Sequence, residues 1–139
     1  MNDKRKRFTW DKKDTLITVL SGALIIVLIM GYVFQTSIRI QGRDALREAK
    51  NAELSLSVYG KQCYGSGIRL ANGSITEGAR SWVATHAGAS GQFSDILWNS
   101  DYSVRAFTYQ KDNCKVTYKD SGYWAVDYEY RLFEWRKEQ

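Results

Sequence analysis

The sequence predicts an α+β protein. A long N-terminal helix, transmembrane and then amphipathic, precedes a small antiparallel sheet domain with one short extra helix. Three observations carry this expectation. Thr15 to Ile38 contains no charged residue. Ile38, Ala45, Ala49, Ala52 and Leu56 then recur at helical spacing, an amphipathic stripe. Beyond Ser100, apolar and polar residues alternate with period two between short turns, the pattern of a meander.

The elements follow in order. Residues 1–14 form a basic tail with Lys4, Arg5, Lys6, Arg7, Lys12 and Lys13. Residues 15–34 are rich in Leu, Ile, Val, Ala and Gly. A bilayer core about 30 Å thick needs roughly 20 such helical residues, so this run reads as a single transmembrane helix. Flanking Lys and Arg prefer the cytoplasmic side. The dense N-terminal cluster therefore places the N-terminus in the cytoplasm of a cell (inner) membrane and the C-terminal domain outside. Phe8 and Trp10 stand where interfacial aromatics anchor a span. The apolar run exceeds a signal peptide's usual 7–15 residues, and no clear small-x-small cleavage site follows it. An uncleaved anchor is expected.

Residues 35–58 continue as an amphipathic extension, with Gly42 a candidate bend and Arg43 and Arg47 on its polar side. Residues 59–139 make up the small extracytoplasmic domain. The glycine-rich stretch around Gly60, Gly65 and Gly67 ends the long helix. Ser74-Ile75-Thr76-Glu77 has the form of a capping box and opens a helix over about 75–87, with Gly88 after it. Residues 88–101 read as loop, with a helical turn near Asp95–Trp98. Three strands follow, around Tyr102–Tyr109, Cys114–Tyr118 and Trp124–Leu132. Lys111-Asp112-Asn113 and Lys119-Asp120-Ser121-Gly122 turn between them.

The net charge of +5 does not mark a nucleic-acid binder. The first 14 residues hold six basic and three acidic side chains, and the other 14 basic and 12 acidic residues are mixed along the chain. No basic stripe with interleaved aromatics appears. Cys63 and Cys114 both lie beyond the span. An even pair in a small exported domain predicts a disulfide, worth roughly 4 kcal/mol in the chain-entropy picture for a loop of about 50 residues.

The motifs of catalysis are sparse. His86 is the only histidine, has no metal-spaced cluster around it, and reads as a helix-terminal cation. Ser81 and Thr85 lie nearby in sequence without an acidic orienter for a triad. Gly65 and Gly67 lack the Gly-Lys-Ser/Thr of a phosphate loop. Asp127 and Glu129 alternate with aromatics and read as a wet strand face. Asn72-Gly73-Ser74 fits a glycosylation pattern, but its Asn-Gly reads as a turn. No enzyme activity, cofactor, metal or small-molecule substrate is expected. Four Trp (82, 98, 124 and 135) and eight Tyr lie beyond or at the mouth of the span. The surplus over what a small core hides favours protein contacts. Arg43, Arg47, Trp98 and Trp135 are the candidate interaction residues. The expected partners are membrane lipid and other membrane subunits, identical or different, without nucleic acid.

The order of a basic leader, a membrane helix running into an amphipathic half, and a small antiparallel sheet resembles pilins and pseudopilins. It looks closest to the TadE-like class, whose small-residue "GAR" helix is similar to Glu77-Gly78-Ala79-Arg80-Ser81-Trp82-Val83-Ala84-Thr85-His86-Ala87. The resemblance implies a structural subunit of a secretion, conjugation or adhesion machine. An accessory single-span subunit of a large membrane complex is the alternative. An anchored enzyme or ligand receptor is the third option.

Overall fold

The computed structural model describes residues 12–120 and 122–129. Most of the basic tail, with Phe8 and Trp10, lies outside them, as do Leu132 and Trp135. The chain divides into two compact units, Met1–Ile38 and Arg39–Gln139. One helix, α1 (Lys12–Gly65), supplies residues to both. Its bounds exceed the expected 15–58 at each end. Apolar surface sustains it to Ile38, and packing sustains it beyond.

In the first unit, α1 is apolar on every side. Leu16, Leu20, Ile25, Val27 and Ile29 are all more than half exposed. This is the one stretch among the described residues that is long and apolar enough to cross a membrane. Burying a Leu, Ile or Val side chain gains about 1.5–3 kcal/mol, and here eleven stay exposed. A single-pass membrane anchor accounts for that surface.

In the second unit, the rest of α1 packs on a four-stranded antiparallel sheet of order β1-β2-β3-β4. The strands are β1 (Gln92–Trp98), β2 (Val104–Lys111), β3 (Cys114–Lys119) and β4 (Tyr123–Tyr128). A second helix, α2 (Glu77–Ala87), lies between α1 and β1 in the chain. Ala45, Ala49, Ala52 and Leu56 of the expected stripe are all buried, joined by Gly42, Ser55, Gly60 and Cys63. The small residues have a clear purpose, because the facing side of the sheet is aromatic. Phe107, Tyr118 and Trp124 stand in register across β2, β3 and β4. Phe93, Tyr109, Val116 and Val126 form the next row. Large rings on the sheet and alanines on the helix pack into one buried cluster. Gly42 is therefore no bend. It is buried, and a Cβ there would meet the Tyr128 ring.

Three local expectations are corrected. Helix α2 is capped by Thr76, whose side chain accepts from Ala79 N at 3.3 Å, so the Ser74–Glu77 box does not form. Gly88 closes the helix at φ 63, a left-handed residue that glycine adopts without cost. The segment read as loop with a helical turn is strand β1. Asp95 takes φ 55, and the β1–β2 register shifts between Ser94 and Leu97. That bulge turns both Phe93 and Ile96 inward and so conceals the two-residue period. A second shift, between Leu97 and Trp98, sets Val104 and Ala106 against consecutive residues. Val104, Phe107 and Tyr109 are consequently the buried residues of β2, in place of one alternating set.

The expected disulfide does not form. Cys63 and Cys114 are both free and buried. Cys114 pairs with Lys111 across the β2–β3 turn, and Lys111 reaches Glu48 on α1. Cys63 lies 15 residues beyond Glu48, about 22 Å along a helix. A disulfide needs Cα atoms within about 7 Å. The thiols thus sit at opposite ends of the helix–sheet contact. Burial, then the charge of Asp112, pushes the Cys114 thiol above its ordinary range, as expected of an inert core cysteine.

Candidate functional site

The membrane-facing run aside, two groups of residues merit a functional reading: a polar cluster where α1 meets the sheet, and the exposed side of α1. The cluster centres on Glu48. Its position one residue before Ala49 puts it beside the buried stripe. Lys111 Nζ donates to Glu48 Oε1. Tyr109 Oη donates to Glu48 Oε2 at 2.6 Å and accepts from Gly91 N at 2.9 Å. Ser90, Gly91, Gln92, Gln110, Lys111 and Asp112 line an adjoining open cavity of about 320 Å³.

Burial alone would raise the Glu48 carboxyl. The hydrogen bonds from Lys111 and Tyr109, with the lysine charge, outweigh it and hold the group below the ordinary carboxylate value. Burial and then the Glu48 carboxylate push the Tyr109 hydroxyl up, so it stays protonated. Every polar atom of this trio has a partner. A carboxylate, a phenol and an ammonium arranged so are a clamp joining α1, β2 and the α2–β1 loop.

The clamp has a pH signature. The folded carboxyl titrates below its unfolded value, so its contribution is complete at neutral pH. It is lost as pH falls past the ordinary carboxylate range and through the depressed folded value. Resistance of the detergent-solubilised chain to urea, followed by tryptophan fluorescence, is expected to fall as the pH drops through and below the ordinary carboxylate range. Glu48→Gln is expected to lose about 1–2 kcal/mol at pH 7 and to show a shallower acid slope. An unchanged slope would show that the clamp is not ionised in this way.

The sequence-level candidates do not converge. Arg43 and Arg47 are exposed on α1, with Arg47 3.3 Å from Asp44. Trp98 is half-buried and faces elsewhere: its ring borders Gly60, and its backbone N–H donates to Asn72 Oδ1 at 2.9 Å. Trp135 lies outside the described residues. His86 stacks on Trp82 at 3.9 Å, with Nδ1 2.9 Å from Trp82 O. Among the described residues, no group of three or more His, Cys, Asp or Glu could hold a metal ion. Asp127 and Glu129 are exposed. The Glu48 clamp was not among the sequence candidates. The signal for it was a carboxylate abutting an alanine stripe, with no clue to which strand would answer.

No family model matches the chain, and no curated protein or solved structure matches it either.

Proposed function

We propose that the protein is a membrane-anchored structural or assembly subunit, a pilin-like component of a secretion, conjugation or adhesion machine. One observation carries the reading. The apolar run of α1 and the helix that forms one layer of the domain core are a single uninterrupted element, Lys12–Gly65. A helix shared between anchor and domain core suits a subunit that packs against neighbours in the membrane. The basic tail supports a cytoplasmic N-terminus and an extracytoplasmic domain in the cell (inner) membrane. The polar cluster, whose side chains answer one another, supports an interaction role over a catalytic one.

The second reading, an accessory single-span subunit of a larger membrane complex, is favoured by the mainly basic exposed side of α1. Two measurements test these readings. Protease added to sealed, right-side-out cells is expected to remove the domain and spare the tail; protection of the C-terminus overturns the topology. The protein is expected to sediment with sheared surface fibres if pilin-like, or to co-purify with a fixed set of subunits in mild detergent if accessory. A clean monomer in both experiments overturns the assembly role.

A further inference from the structure

At about 100° per residue, Gly42, Ala45, Ala49 and Ala52 fall together on the buried side of α1. Ile40, Arg43, Arg47, Leu54, Val58 and Lys61 fall on the opposite side and are exposed. Leu54 is 64% exposed, and Ile40 and Val58 are more than half so. The only acidic residue on this side is Asp44, already committed to Arg47. Among the described residues, Arg43 has no acidic partner. Neither the sheet nor α2 covers this face.

The geometry points to a docking face for an acidic amphipathic helix carried by a different membrane-anchored subunit. The inference rests on the assembly role proposed above and names the partner's chemistry. A helix with an apolar stripe would cover Ile40, Leu54 and Val58. Carboxylates flanking that stripe would meet Arg43, Arg47 and Lys61, as flanking charges do in paired helices. A second copy of this chain fits badly. A shared anchor topology holds two copies parallel, and in register Arg43, Arg47 and Lys61 then face their own counterparts, with Asp44 alone to answer them. Like charges so placed are unfavourable. Lipid fits no better. Leu54 lies about 22 Å along the helix from Arg39, whereas the headgroup layer is only about 5–8 Å deep.

The test uses the full-length chain in nanodiscs and two synthetic helical peptides. Both carry leucine at alternating third and fourth positions, flanked by glutamate in one and by lysine in the other. Fluorescence anisotropy is expected to show the glutamate peptide binding about tenfold tighter or more, with the preference shrinking as salt rises. Arg43→Glu combined with Arg47→Glu, both at exposed positions that spare the fold, is expected to reverse the preference. Leu54→Ala is expected to weaken binding of the glutamate peptide. Equal binding of the two peptides overturns the proposal, as does a preference that survives charge reversal. So does a Leu54→Cys chain that cross-links chiefly to itself in native membranes. Co-sedimentation separates the two claims. A chain that travels with a large assembly yet binds both peptides alike has a wrongly assigned face. A chain that prefers the glutamate peptide yet runs alone has the face and lacks the assembly role.

Discussion

Gly60→Ala is expected to destabilise the domain by about 2 kcal/mol or more, although alanine is the better helix former by about 1 kcal/mol. Gly60 is buried near the end of α1. A Cβ there would lie 1.9 Å from the Tyr102 carbonyl oxygen and 3.0 Å from the Trp98 ring. Neither side can yield cheaply. Tyr102 holds φ 59 in the turn between β1 and β2. That turn is fixed by Tyr102 N to Asn99 O at 3.0 Å and by Asp101, which accepts from Ser103 N and Oγ. Overpacking a rigid core costs about 1–3 kcal/mol and sometimes more, and backbone against backbone belongs at the upper end. Gly42→Ala is expected to cost less, because the obstacle there is the Tyr128 ring, which can rotate. Gly65→Ala, with open space around it, is expected to be neutral or slightly stabilising. Urea midpoints measured on the three variants check the order. Equal effects at all three glycines would show that helix propensity decides and that close approach does not.

The contrast among these glycines shows what the sequence made legible. The spacing of Ala45, Ala49, Ala52 and Leu56 announces which side of the helix is buried, because a 3.6-residue period survives whatever the partner is. It cannot say that Gly60 meets a carbonyl oxygen, because that contact depends on a turn some 40 residues later. Strands β3 and β4 were readable since their register is uninterrupted from Lys111↔Cys114 to Lys119↔Tyr123. Strand β1 was not, because Asp95 breaks its alternation. The cysteine pair misled for a related reason. Two cysteines say nothing of distance, and here the length of the helix–sheet contact keeps them apart. The Glu48 clamp was hidden in the same way: its three residues come from positions 48, 109 and 111 and meet only once β2 is laid along α1.

The aromatic surplus also takes a different meaning from the structure, and Phe107→Ala exposes it. This substitution is expected to cost about 3–5 kcal/mol, a large part of the 5–15 kcal/mol that holds a domain of ordinary size. Phe107 is 1% exposed. Its ring lies 5.6 Å from Tyr118, 5.9 Å from Phe93 and 6.0 Å from Trp124, the last edge-on. Removing it opens a cavity beneath α1 and unseats pairs worth about 0.5–1.5 kcal/mol each beyond burial. Phe107→Leu keeps most of the volume and is expected to cost appreciably less. Tyr123→Ala, at a residue 58% exposed, is expected to stay within about 0.5 kcal/mol of the parent. Loss of near-ultraviolet circular dichroism in Phe107→Ala, with Tyr123→Ala unchanged, would assign the buried rings to stability. The exposed Tyr64 and Tyr123 would then be open to partners. Equal stability of the two alanine variants would mean that the rings in register do not form the core.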